Sequence, residues 1–162
     1  MKKVWLIGAG VMAQDYLKVL EDLKVPTTII GRGKASAMKF KLSTGKNVEL
    51  GGLQRFLSNS KDICSHAIIA VGAEKLFETT RQLLNYDIKN ILIEKPGALF
   101  NNEFEELVKL SESKKANVYI AYNRRYFASV IKAKEIIKKD GGVTSFNFEF
   151  TEWAHSIAPL KK

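Results

Sequence analysis

The feature that most constrains this chain is the run Val4-Trp5-Leu6-Ile7-Gly8-Ala9-Gly10-Val11-Met12-Ala13. An apolar strand passes directly into Gly-x-Gly-x-x-Ala and then into a stretch of helical periodicity. This is the strand–turn–helix setting in which a dinucleotide pyrophosphate rests on a helix N-terminus. Gly8 permits the tight turn, Gly10 lets the backbone approach phosphates, and Ala13 keeps helix and strand close. Val11 and Met12 complete the predicted phosphate-binding turn.

The flanks fit the same unit. Met12, Tyr16, Val19, Leu20 and Leu23 recur with helical spacing and predict one apolar face. Pro26 ends that helix, and Thr27–Ile30 reads as a second strand. Past it, where an NAD site carries Asp or Glu for the ribose 2′-hydroxyl, stand Gly31 and Arg32. An arginine there suits a 2′-phosphate, so the expected cofactor is NADP, with NAD as the alternative.

Strands and helices continue to alternate. A helix is predicted over Lys34–Lys41, a modest third strand at Val48–Leu50, and a polar stretch through Gly51-Gly52 and Ser58–Ser60. Ala67–Val71 is apolar throughout, as in a parallel strand covered on both faces. Phe77, Thr80, Leu83 and Leu84 mark the next helix face, and Asn90–Ile93 the fifth strand. Phe104, Leu107, Val108 and Ser111 mark another helix, and Val118–Ala121 the sixth strand. The expected fold is α/β, a doubly wound parallel sheet of the Rossmann type.

From Arg124 the pattern changes, dividing the chain into a cofactor domain over 1–123 and the start of a second domain over 124–162. Phe127, Val130, Ala133 and Ile137 predict a helix closed by Asp140-Gly141-Gly142. Ser145–Thr151 alternates strictly, with Phe146, Phe148 and Phe150 on one side. That is the pattern of an antiparallel strand with one buried face, the first of an incomplete α+β domain.

Bulk properties exclude several alternatives. One cysteine, Cys64, rules out an intramolecular disulfide, and Cys64 with His66 does not complete a zinc set, so no metal site is expected. The net charge of +9 comes from 21 Lys and only 5 Arg, scattered among acidic residues. With no basic run interleaved with aromatics, it reads as a solvated surface that favours an anionic ligand, and no nucleic acid is expected. Met1-Lys2-Lys3 and the apolar run behind it imitate a secretory signal, but cleavage there would remove the first strand. The run is also too short to span a membrane. A cytoplasmic protein is expected.

Glu94-Lys95-Pro96-Gly97 follows the fifth strand, at the sheet edge where ligands of such folds bind. A lysine beside a nicotinamide can hydrogen-bond a substrate oxygen and exchange a proton as hydride moves. Glu94 would orient it, and Pro96 would fix the backbone, with a cis bond open to it. On these residues alone a solvated lysine in a turn is the simpler reading.

Taken together, the glycine turn, Ala70-Val71-Gly72, Ile93-Glu94-Lys95-Pro96-Gly97-Ala98-Leu99 and Tyr122-Asn123-Arg124-Arg125-Tyr126 resemble the Gfo/Idh/MocA oxidoreductases. The resemblance runs over essentially the whole chain. It implies that Lys95 contacts nicotinamide and substrate, and that Ala70, Val71, Gly72 and Glu94 lie on the cofactor side. It also implies that some of Tyr122, Asn123, Arg124 and Arg125 line the substrate site; a polar strand end with surface arginines is the equal alternative. The implied activity is hydride transfer between NADP(H) and a sugar, sugar nucleotide or polyol, with homo-oligomers in a full-length form.

The chain also departs from that pattern. Gly72-Ala73-Glu74-Lys75 replaces the Thr-Pro-x-x-x-His frequent after the fourth strand. Nothing past Thr151 matches the family's Asp-x-x-x-His segment, and His155 reads as surface or packing. Members are about twice this length, so a fragment is expected, with a non-catalytic dinucleotide-binding or interaction module as the alternative.

Overall fold

The computed structural model describes residues 3–60, 64–147 and 149. The chain divides into two compact units, 1–122 and 123–162. The first holds five strands: β1 (Val4–Ile7), β2 (Thr27–Ile30), β3 (His66–Ile69), β4 (Asn90–Ile93) and β5 (Asn117–Ile120). All pair in parallel in the order β2-β1-β3-β4-β5. Five helices connect them: α1 (Val11–Asp22), α2 (Lys34–Thr44), α3 (Gly52–Asn59), α4 (Ala73–Asn85) and α5 (Asn101–Ser113). The doubly wound parallel fold is thus as expected.

Side-chain alternation along β1 builds both faces of the sheet. Trp5 and Ile7 join Ile69, Leu53, Leu76, Leu83 and Leu107 in one core, beneath α3, α4 and α5. Leu6 joins Ala13, Leu17 and Phe40 in the other, beneath α1 and α2. Trp5 is fully buried, its ring edge-on to Phe56 at 5.1 Å.

Four local expectations need correction. Val48–Leu50 is not a strand: Glu49 makes a single isolated parallel bridge to Ile30, the last residue of β2. Its N–H donates to Ile29 and its carbonyl accepts from Gly31, both at 2.8 Å, before Gly51 at φ +99° turns the chain away. The polar stretch that follows is helix α3, whose only buried residue is Leu53. On α1 the buried face is Ala13, Leu17 and Leu20, whereas Met12, Val19 and Leu23 are exposed. The apolar residues one position off that face gain little burial because α1 lies over the sheet on one narrow stripe. On α5, Leu107 is buried and Val108 exposed.

In the second unit a 3₁₀ turn, Asn123–Tyr126, leads into α6 (Ala128–Lys139), which has no buried residue. Residues 145–147 adopt no regular structure. Phe148, Phe150, Thr151 and His155 lie outside the described residues.

Candidate functional site

Chain direction reverses at the carboxyl ends of β1 and β3: β1 leads to β2 on one side, and the chain then crosses to β3 on the other. A crevice opens where neighbouring connections diverge in this way. Here it is a cleft of about 650 Å³ walled by Gly8, Gly10, Gly31, Arg32, Ala70 and Gly72 from the three strand ends, and by parts of α3 and α4.

Gly8 lies at the bottom with φ +128°, a conformation that L side chains rarely adopt. A Cβ on it would drive into the Ala70 carbonyl. Its N–H donates to the Ile30 carbonyl at 2.9 Å, tying the turn to β2. Gly10 differs: its φ of −95° suits any residue, and a Cβ there would meet nothing within 4 Å. The missing side chain leaves the backbone bare toward the cleft.

Four helices begin around this cleft, and each has a glycine N-cap without a side-chain cap: Gly10 on α1, Gly33 on α2, Gly51 on α3 and Gly72 on α4. By contrast, the Glu103 carboxylate of α5 takes the N–H groups of Leu99 and Phe100 at 2.9 and 3.2 Å. The first N–H groups of a helix have no partner within it and carry partial positive charge. The α1 groups in question belong to Val11, Met12 and Ala13. Val11 and Met12 have exposed side chains outside the cleft wall, and that of Ala13 is buried against the sheet, so what this turn presents to the cleft is its backbone.

Gly31 is buried by its neighbours. A Cβ would come within 2.7 Å of Val48 Cγ1 and 3.3 Å of Ala9 Cβ. Arg32 is exposed on the cleft wall and, among the described residues, forms no hydrogen bond or ion pair. Its aliphatic stem runs beside Gly52, where a Cβ would sit 3.6 Å from Arg32 Cγ. Gly52 in turn donates its N–H to the Gly31 carbonyl at 3.0 Å. Across the cleft the Glu74 carboxylate folds back over Gly72, within 2.6 Å of where a Cβ would stand. Lower on α4, burial raises the Glu78 pKa, but hydrogen bonds from Gln82 and Arg81 and the charges of Arg81 and Lys75 outweigh it and hold the carboxyl below its usual range.

Glu94 and Lys95 follow β4, outside the cleft wall. Lys95 is exposed, and the Lys95–Pro96 peptide is cis. Among the described residues Lys95 makes no hydrogen bond or ion pair, so Glu94 does not orient it as expected. Glu94 Oε1 instead accepts the Tyr16 hydroxyl at 2.6 Å. Burial, then the hydrogen bond and charge of Glu94, push the Tyr16 pKa far above the ordinary phenol value. Tyr122 ends the first unit, half exposed, while Asn123, Arg124 and Arg125 begin the second as exposed residues of the 3₁₀ turn.

Sequence reasoning missed Tyr16, Gly51 and Gly52. The paired glycines were a usable signal, since both need positive φ, +99° and +82°. Nothing local linked Tyr16 to a carboxylate 78 residues away. Cys64 is half-buried, its thiol donating to the Lys3 and His66 carbonyls at 3.0 Å. Among the described residues no cluster of three or more His, Cys, Asp or Glu could hold a metal ion. No described helix is long and apolar enough to cross a membrane.

Comparison with known proteins agrees with this architecture. The Gfo/Idh/MocA model, described as an oxidoreductase family with an NAD-binding Rossmann fold, matches residues 2–122. No curated protein sequence matches the chain. Among similar solved structures is the WlbA (WbpB) dehydrogenase from Thermus thermophilus in complex with NAD and UDP-GlcNAcA. It is 20% identical, with a TM-score of 0.74 over 88% of this chain and 48% of its own. The WlbA dehydrogenase from Bordetella pertussis, in complex with NADH and UDP-GlcNAcA, is 13% identical, with a TM-score of 0.73 over 86% of this chain and 42% of its own. A protein from Desulfitobacterium hafniense named as a candidate NADPH-dependent oxidoreductase is 19% identical, with a TM-score of 0.72 over 87% of this chain and 41% of its own. The chain thus spans less than half the length of each of these structures. With the glycine turn, the switch-point cleft and a family match over three quarters of its length, the chain belongs to the Gfo/Idh/MocA family of oxidoreductases with an NAD-binding Rossmann fold.

Proposed function

We propose that this chain is the cofactor-binding part of an NADP-dependent oxidoreductase acting on a sugar, sugar nucleotide or polyol. The observation that carries the cofactor choice is Arg32, an exposed guanidinium on the cleft wall with no partner among the described residues. The cleft fits a dinucleotide on its own geometry. Gly8 tolerates no Cβ, Gly10 leaves its backbone bare, and four uncapped helix starts border a cavity of about 650 Å³. The N–H groups of Val11, Met12 and Ala13 would hold the pyrophosphate. Arg32 would hold the 2′-phosphate, and Ala70, Val71 and Gly72 would back the adenosine side.

A bound nicotinamide dinucleotide supplies or accepts a hydride. Lys95 Nζ donates a hydrogen bond to the substrate oxygen and gives or takes its proton as the carbon changes oxidation state. Tyr122, Asn123, Arg124 and Arg125 supply polar groups for the substrate. A sugar-nucleotide substrate is supported by the UDP-GlcNAcA complexes of the two WlbA dehydrogenases. The complete enzyme is a homo-oligomer.

Calorimetric titration with NADP(H) and NAD(H) tests the cofactor. NADP(H) binds more tightly, and Arg32→Ala lowers that affinity about 10- to 100-fold while leaving NAD(H) unchanged, as expected for a charged hydrogen-bonding contact. Equal affinity for both cofactors removes the role of Arg32. Binding of neither removes the cofactor function and favours an interaction module.

A further inference from the structure

We propose that Tyr16 is a positioning residue for the Lys95 turn: its hydroxyl clamps the Glu94 carboxylate to α1, joining the helix with bare N–H groups to the turn that carries Lys95. The inference rests on reading the cleft as a dinucleotide site and Lys95 as the proton-handling group.

The clamp spans the sheet. Tyr16 lies six residues past Gly10 on α1, and its ring packs at the edge of the core beneath α1 and α2. Glu94 follows β4, separated from β1 by β3. The 2.6 Å contact between them is a charge-assisted hydrogen bond, short and directional. Among the described residues no other hydrogen bond joins this helix to the β4 end, so the link depends on one phenol.

The turn is held at both ends. Glu94 donates its N–H to the Ile69 carbonyl at 2.9 Å, and its carbonyl accepts the Gly97 N–H at 3.0 Å. Gly97, at φ +93°, is packed so tightly that a Cβ would stand 2.8 Å from Ile120 Cδ1 and 3.2 Å from Phe104 Cε1. Ile120 and Phe104 therefore fix the far end of the turn, and Tyr16 fixes the near end through Glu94. Lys95 lies between these anchors. Because Glu94 is engaged by Tyr16, the carboxylate nearest Lys95 in sequence leaves the lysine head unpaired. The phenol stays protonated across ordinary pH, so it remains a donor.

Tyr16→Phe keeps the ring and removes the donor, leaving a half-buried carboxylate unsatisfied. The test is backbone amide hydrogen exchange on the full chain, with and without NADPH. Without ligand, the Glu94 and Gly97 amides, which bond the Ile69 and Glu94 carbonyls, exchange about tenfold faster in Tyr16→Phe than in the wild type. With NADPH, the wild type gains protection at Lys95, Gly97 and Ala98. Tyr16→Phe gains protection on the first turn of α1 only, a separation that a general loss of packing would not produce.

Equal exchange at Glu94 and Gly97 in the wild type and Tyr16→Phe, without ligand, overturns the proposal. If Tyr16→Phe does not fold, Glu94→Ala breaks the same clamp from the other side and is read by the same criterion. Failure of NADPH to protect α1 in the wild type counts against the dinucleotide reading instead. The ligand-free comparison still decides the role of Tyr16.

Discussion

At the residue scale, two glycines of one motif do different work. Gly8 is required by the protein itself, through its φ of +128° and the Ala70 carbonyl beside it. Gly10 is not required by any internal contact, since a Cβ there meets open space. Gly8→Ala is therefore expected to cost about 2–4 kcal/mol in chemical denaturation, from backbone strain and overpacking together. Gly10→Ala should leave folding nearly unchanged and weaken dinucleotide affinity. A stability loss at Gly10 comparable to that at Gly8 would contradict this division. The motif's spacing was legible in the sequence, but this difference between its glycines was not, because it depends on Ala70, some sixty residues further on.

At the scale of elements, the sheet and most helices were readable from periodicity, and the errors have a common cause. Val48–Leu50 has strand-like residues, but a single bridge to Ile30 precedes the turn at Gly51. On α1, Met12, Val19 and Leu23 share helical spacing with Leu20, yet of these only Leu20 is buried, together with Ala13 and Leu17 from the neighbouring stripe. Periodicity shows that a face exists; the partner surface determines which face is buried.

The contact between α1 and the end of β4 is also an element-scale property, and it has a pH signature. The folded-state pKa of Tyr16 is raised above its unfolded value. Its stabilisation is fully present below about pH 10, the unfolded phenol value, and is lost progressively as pH rises from there. The unfolded chain ionises first in that range, while the folded phenol keeps its proton. Denaturation midpoints measured from pH 8 upward should fall more steeply in the wild type than in Tyr16→Phe. Parallel slopes would show that the Glu94 contact does not govern this titration.

For the whole molecule, the first unit contains the family match and the cleft, and the chain spans less than half of the solved dehydrogenases compared with it. Cofactor binding is thus the function testable on this chain as it stands. NADPH at a hundredfold excess over its dissociation constant should add about 2.7 kcal/mol to the stability of the unit that binds it. In a thermal melt this corresponds to an upward shift of about 10 °C. Inorganic phosphate at the same concentration as the NADPH should shift it far less, because phosphate engages one helix start instead of the length of the cleft and binds correspondingly more weakly. Equal shifts would reduce the cleft to a general anion site.

The sequence by itself determined the alternation of strands and helices, the glycine turn and the family. These are local or short-range patterns, written in residues that follow one another. Tertiary structure decided what depends on residues far apart in the chain. It placed Arg32 beside Gly52 and gathered four glycine-capped helix starts around one cleft. It also assigned Glu94 to Tyr16 instead of Lys95. Glu94 and Lys95 are neighbours in the sequence, which made Lys95 the apparent partner of Glu94, but both lie past the end of β4. Folding α1 across the sheet brought the phenol to the carboxylate from 78 positions away.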